Sequence, residues 1–320
     1  MTRLAGVNIM KENTDTIKSF CIEAKNPGPH ILLAAGVHGD EYEPMLTALE
    51  LIRELPEILI SGCVTIVPIV NVTAYRASSR YGEDNLNLAR ICPGKPDGSV
   101  SERNASEIST LIEESDYLVD MHTGGLVQNI YPMAGFTLHL SPEILDKQRE
   151  LALAYNMPVI WGTDHHPNGR TLSVARDANI PAIYLEYGGG SGIRYEVVKT
   201  YKQGFINVLK SLNMVQGLAK IISEKDRFWV EDSRPNSGYF EGKMPSPLDG
   251  IFVSDSTPGI QIKKGQRFGR IVDPSTADST DILAEIDGLV LSVRVSVHVK
   301  KGDALGSILP IIEPGKVIIN

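Results

Sequence analysis

Apolar, strand-like runs recur along the first two thirds of the chain, and segments with helical spacing lie between them. Residues 31–35, 64–70, 117–119, 158–161 and 180–187 are short, apolar and rich in β-branched or aromatic side chains. Between the first two, Met45, Leu46, Leu49, Ile52 and Leu55 recur at the spacing of a helix face, so a helix is expected over 41–55, with Pro56 as its stop. Ser99 and Glu102 form a capping-box pattern ahead of the stripe Ala105, Ile108, Leu111 and Ile112. Further helices are expected over 142–155 and 195–212, while residues 71–98 lack periodicity and form a long loop. Strands alternating with helices specify an α/β sandwich around a largely parallel sheet. Such sheets bind ligands outside the carboxyl ends of their strands.

That rule singles out four residues. The run 31–35 breaks at Gly36 and leads at once into His38-Gly39-Asp40-Glu41. Residues 117–119 run into Asp120-Met121-His122 and then Gly124-Gly125. The strand at 180–187 carries Glu186 just before three glycines. His38, Glu41, His122 and Glu186 thus all fall at carboxyl ends of strands. Two histidines and a glutamate are a ligand set for zinc, whose catalytic sites take three protein ligands and leave a fourth position open. A lone histidine at a strand end is more often a hydrogen-bonded turn residue; the shared context of the two histidines and the nearby Glu41 favours the metal. Asp40 and Asp120 are candidates to orient an imidazole, and for Asp40 the role of a helix N-terminal acid is the competing reading. Glu186, at the end of an apolar strand, must be paired or used. It is a candidate general base and acid, or else a partner of Arg176 or Arg194. Arg80 and Arg90 lie in the long loop and are candidates to hold an oxyanion and a substrate carboxylate, or are solvated. His165-His166, on a polar loop, are read as exposed.

Composition changes near Phe228. Beyond it the helical period vanishes and a weak repeat emerges: residues 247–253 followed by Lys263-Lys264-Gly265 are echoed by 285–291 followed by Lys300-Lys301-Gly302. The expected division is 1–228 for the α/β unit and 229–320 for a β-sandwich or barrel of pseudo-twofold form. The repeat is like that of lipoyl- and biotinyl-type domains, without a lysine placed to carry the cofactor.

A net charge of −8 argues against nucleic acid or an anionic membrane as the main partner, and no run is long enough to span a bilayer. The N-terminal residues lack the pattern of a secretory signal. Cys21, Cys63 and Cys92 are widely spaced, contain no CxxC pair and read as reduced, mostly structural residues of a cytoplasmic protein.

The motifs His38-Gly39-Asp40-Glu41, residues 87–94 (NLARICPG), residues 120–125 (DMHTGG) and Leu185-Glu186-Tyr187-Gly188-Gly189, in this order and spacing, resemble the succinylglutamate desuccinylase/aspartoacylase branch of the zinc carboxypeptidase superfamily. The resemblance covers essentially the whole chain, including the terminal β-domain that this branch adds. It implies a zinc-carboxypeptidase-like α/β/α sandwich with a C-terminal all-β domain. One Zn2+ per chain is implied on His38, Glu41 and His122, with Glu186 as general acid/base and Arg80 polarising the scissile carbonyl. In the family's Asp-Leu-Asn-Arg-x-Phe-Pro-Gly motif the Asn-Arg pair binds the substrate carboxylate. Arg90 matches that arginine, but Ala89 replaces the asparagine, and Asn87 is the residue expected to compensate. The expected activity is hydrolysis of the linear amide of a small N-acyl amino acid or N-acyl amine. A metallocarboxypeptidase acting on short peptides and a non-catalytic zinc- or ligand-binding protein are the alternatives, and homo-oligomerisation is left open.

Overall fold

In a computed structural model, residues 7–10, 16–239 and 243–320 are described. The α/β part contains nine strands: β1 (Val7–Met10), β2 (Ser19–Glu23), β3 (Asn26–Ala35), β4 (Ser61–Val67), β5 (Tyr117–His122), β6 (Gln128–Thr137), β7 (Val159–Thr163), β8 (Ala182–Gly188) and β9 (Phe228–Asp232). Its helices are α1 (Tyr42–Ile58), α2 (Val72–Arg76), α3 (Val100–Glu113), α4 (Pro142–Tyr155), α5 (Thr171–Asp177) and α6 (Tyr195–Ser211). The strands are ordered β1-β2-β4-β3-β5-β8-β6-β7-β9. The central run β4-β3-β5-β8 is parallel; β2 is antiparallel to β4, and β6 is antiparallel to β8 but parallel to β7. One face packs Leu33, Val119 and Leu185 under α1, α4 and α6; the other packs Leu32, Leu118 and Ala182 under α3 and α5. Helices therefore cover both faces of a mixed sheet, as the alternation of patterns requires.

Several boundaries differ from the sequence reading. Helix α1 runs through Pro56 to Ile58. Proline costs a helix one backbone donor, the one that would pair with Ile52 O, and in the last turn the helix still closes, with Leu59 N donating to Leu55 O at 2.9 Å. The strand expected over 64–70 is instead β4 and ends before Pro68, which cannot donate to the ladder. Strands β2 and β6 were not expected. Pro132 and Gly135 mask the β6 pattern; Gly135 is there because a Cβ would lie 2.2 Å from the Tyr184 ring on β8.

The C-terminal part has eight strands: β10 (Gly250–Ser254), β11 (Gln261–Ile262), β12 (Arg267–Val272), β13 (Ser279–Leu283), β14 (Gly288–Arg294), β15 (His298–Val299), β16 (Gly306–Leu309) and β17 (Gly315–Ile319). The repeat takes physical form as an exchange. β10 pairs with β15 of the second half, and β14 pairs with β11 of the first. Asp287 Oδ1 accepts from Lys264 N at 2.7 Å, and Asp249 Oδ1 accepts from Lys301 N at 2.7 Å. Each Lys-Lys-Gly turn is thus anchored by the aspartate of the other half.

This part is also stitched into the main sheet. β14 pairs with β6, and β17 pairs in parallel with β9. Glu231 on β9, 4% exposed, locks the second seam. It accepts from Arg149 Nε and Nη2 at 2.9 and 2.7 Å, from Trp229 Nε1 at 3.1 Å and from Lys316 Nζ at 3.1 Å. Burial works to raise the Glu231 pKa, but the bonds from Arg149 and Lys316 outweigh it and hold it below the usual carboxylate range. A depressed carboxylate contributes stability that is complete above its ordinary pKa and is lost as pH falls through the folded value. Glu231→Gln should therefore lower stability by about 2–4 kcal/mol at neutral pH, measured by urea unfolding. The deficit should shrink in acid, where the wild-type pair is lost too.

Candidate active site

The carboxyl ends of β3, β5 and β8 form the floor of the site. Gly36, at φ 66°, turns the chain off β3, and Gly39 lets the next turn sit directly on α2, since a Cβ there would lie 1.9 Å from the Ala74 carbonyl carbon. The turn brings Glu41 to the N-cap of α1, yet its side chain makes no capping bond. It is drawn back instead toward two imidazoles. Glu41 Oε1 lies 2.7 Å from His38 Nδ1, and Oε2 lies 3.0 Å from His122 Nδ1 and accepts from Thr123 N at 3.2 Å. All three side chains are buried.

The opposite ring nitrogens are held from behind. His38 Nε2 is 3.2 Å from Asn87 Oδ1, which also accepts from Ala89 N, and His122 Nε2 is 3.1 Å from Asp120 Oδ2. Both partners are acceptors, so in the neutral rings each Nε2 carries the hydrogen and each Nδ1 lone pair faces Glu41. Two lone pairs and a carboxylate then meet in a buried space, an arrangement that calls for a positive charge. Burial lowers the pKa of His38; at His122 burial is outweighed by Asp120 and Glu41, which raise it well above the ordinary value. His38, Glu41 and His122 could hold a metal ion, with Asp120 and Asn87 fixing the imidazole orientations as ligand histidines require.

Around this centre lies a cavity of about 100 Å³. Glu186 on β8 is in register with His122 on β5, so its carboxyl group faces the same space. Burial pushes it up to about 8, against His122 and with Glu41 adding to the push. Its Oε2 has no hydrogen-bond partner among the described residues. Neither arginine named from the sequence pairs with it: Arg194 donates to Asn129, and Arg176 to Asn168 and Asp177. Arg80 Nη1 stands 3.3 Å from His38 Nδ1 and 3.6 Å from Glu41 Oε1.

Arg90 lines the cavity, its Nη1 donating to Ala89 O at 2.9 Å. Asn87, expected to reach a substrate, does not line it; its Oδ1 is committed to His38 and to the backbone of the short 3-10 turn Leu88–Arg90. Asp40 likewise touches no imidazole and accepts from Leu126 N at 3.1 Å, holding the glycine turn after β5. His165 and His166 stack at 3.9 Å outside the cavity, with Asp164 accepting from His166 Nδ1 at 2.7 Å.

Sequence reasoning missed Arg170, Tyr184 and the segment with Gly238 and Tyr239. Arg170 precedes α5 and lines the cavity, and the guanidinium carbons of Arg90 and Arg170 lie 5.1 and 5.0 Å from the centre of the Tyr239 ring. The period-two placement of Tyr184 and Glu186 on β8 was a usable signal for the tyrosine. For Tyr239 there was none, because it arrives from beyond β9.

Residues 27–212 match the family model described as the succinylglutamate desuccinylase/aspartoacylase catalytic domain. The chain belongs to this family. It is 29% identical over 296 residues to the N-alpha-acetyl-L-2,4-diaminobutyric acid deacetylase of Halomonas elongata, spanning 90% of this chain and 84% of that protein. Among solved structures, the product-bound ectoine utilization protein EutE (DoeB) from Ruegeria pomeroyi superposes with a TM-score of 0.83 at 26% identity, over 91% of this chain and 88% of that one. A succinylglutamate desuccinylase/aspartoacylase from Rhodobacter sphaeroides gives a TM-score of 0.81 at 25% identity, with the same coverage. The family fold inferred from the motifs is therefore the observed one.

If Asp120 sets the orientation of His122, Asp120→Asn should weaken the affinity of the site for a divalent ion by about 10–100-fold, read by competition with a chromophoric chelator.

Proposed function

We propose that this chain is a zinc-dependent deacylase that hydrolyses the linear amide bond of a small N-acyl amino acid or related N-acyl amine. The observation that carries the reading is the meeting of buried side chains of His38, Glu41 and His122 beside a fourth group, Glu186, whose Oε2 has no hydrogen-bond partner among the described residues. One zinc ion per chain on these three ligands would supply Lewis acidity toward the carbonyl oxygen and acidify water at the site. Membership of a family of hydrolases acting on carbon–nitrogen bonds other than peptide bonds supports amide cleavage, and the named Halomonas relative supports a short acyl group on an amino acid.

Glu186 takes the proton of the attacking water and returns it to the departing amine nitrogen. Its raised pKa suits a group that must both accept and donate near neutrality. Arg80 points its guanidinium at the ligand centre and is placed to hold the oxygen that becomes negative in the transition state. Arg90 and Arg170 fix the substrate anion from the far wall, each with its guanidinium over the Tyr239 ring. Ala89 leaves room beside Arg90, so the anion is held by two arginines rather than by an asparagine–arginine pair. The cavity of about 100 Å³ limits the group nearest the ligands to a short acyl chain.

The division into 1–228 and 229–320 remains part of this reading, as does a cytoplasmic location. Three free cysteines fit a reducing compartment, and no helix among the described residues is long and apolar enough to cross a membrane. The partner is a small N-acyl compound rather than nucleic acid or a membrane.

A panel of N-acyl amino acids assayed for released amine, with and without a chelator, tests the activity. Glu186→Gln should cost about 10²–10⁴-fold in kcat with zinc content unchanged; full activity in that variant removes Glu186 from the mechanism. Arg80→Ala should cost about 10²–10³-fold in kcat, an effect that a merely solvated arginine would not produce.

A further inference from the structure

At the other end of the parallel strands, away from the cavity, two of the three cysteines meet. Cys21 on β2 lies opposite Thr65 of β4, and Cys63 of β4 lies opposite Glu23 of β2, so all four side chains share one face of the sheet. Cys21 Sγ is 3.0 Å from Cys63 Sγ, and both residues are partly exposed. We propose that Cys21 and Cys63 form a thiol–disulfide exchange site that closes reversibly to a disulfide on reaction with a small-molecule disulfide.

Three features support this. The sulfurs already touch, and bond formation takes only about 1 Å of further approach. Their roles are also unequal. The hydrogen bond between the two sulfurs, in which either can be the donor, holds the Cys21 thiol down to about 7 against burial and the Glu23 charge, and pushes Cys63 up. The order, Cys21 attacking as thiolate and Cys63 resolving, is what the two single-cysteine variants distinguish.

The third feature is a proton path for the resolving step. His30 Nδ1 lies 3.0 Å from the Glu114 carbonyl and His30 Nε2 lies 2.8 Å from Thr65 Oγ1. A carbonyl only accepts, so Nδ1 carries the hydrogen and Nε2 accepts from the Thr65 hydroxyl. Thr65 shares its face of the sheet with both cysteines, and its oxygen keeps a lone pair that can accept from a thiol. Cys63 can therefore pass its proton through Thr65 to His30.

In the first step the Cys21 thiolate attacks one sulfur of the small disulfide, forms a mixed disulfide and expels one small thiolate. In the second, Cys63 attacks the Cys21 sulfur, its proton leaves through Thr65 and His30, and the second small thiolate departs and is protonated. Two protein thiols are oxidised and one small disulfide is reduced to two thiols. The product ties β2 to β4.

The reduced full-length chain incubated with oxidised glutathione, then alkylated and mapped by mass spectrometry, tests the proposal. The expected result is loss of two of the three alkylatable cysteines, a linked pair of peptides carrying Cys21 and Cys63, and full reversal by dithiothreitol. The oxidised form should also melt several degrees higher, roughly as closure of a 42-residue loop requires. Cys63→Ser should stop at a mixed disulfide on Cys21, and Cys21→Ser should leave Cys63 unmodified. Thr65→Val should slow resolution by roughly ten-fold, so that the mixed disulfide accumulates. Three alkylatable cysteines after treatment would overturn the proposal. So would a second equivalent of zinc that shields both thiols, since Cys21, Glu23 and Cys63 are also close enough to share a metal ion.

Discussion

Everything at the rim of the candidate site depends on Glu41 being pulled away from its own helix. An acid at the N-cap of α1 would ordinarily satisfy the free backbone donors of the first turn. Here the carboxylate faces outward to two imidazole nitrogens whose hydrogens lie on the far side, and the helix begins without a side-chain cap. A buried concentration of electron pairs is unfavourable by itself and becomes favourable around a cation. The surrounding structure maintains that concentration: Asp120 and Asn87 lock the rings, Gly39 lets the turn rest on α2, and the pairing of β5 with β8 brings Glu186 alongside.

Much of this was legible in the sequence because strand ends are marked twice, by the apolar run and by the glycine that stops it. His38, Glu41, His122 and Glu186 each carried that double mark, and each lies on the rim. The α3 capping box and the extent of α4 were equally local signals and hold in the structure. What local signals could not carry was pairing between distant segments. β6 hides behind Pro132 and Gly135 because its strand character comes from neighbours on both sides, β8 and β7, rather than from its own pattern.

The far wall of the cavity shows the same limit. Arg170 and Tyr239 carry no spacing relation to the ligand motifs, and their meeting across Arg90 depends on how β9 leaves the sheet. Asn87 is a subtler case. Its place in the loop pointed to the cavity, yet one accepting oxygen turned toward His38 converts it from a substrate contact into a support for an imidazole. Sequence proximity could suggest its neighbourhood, and only the hydrogen-bond geometry distinguishes the two roles.

The C-terminal strands bear on how such a protein can change. The stretch matching the family's catalytic domain ends at residue 212, so it contains the three acceptors and Glu186 but neither Gly238 nor Tyr239. The groups proposed for reactivity and the two cavity arginines lie in that stretch, whereas part of the cavity wall, Gly238, and the Tyr239 ring beside the arginines come from outside it. Substitutions or length changes between β9 and β10 would alter the wall beside Arg90 and Arg170 without touching His38, Glu41 or His122, and the β14–β6 and β17–β9 seams keep that wall tied to the sheet.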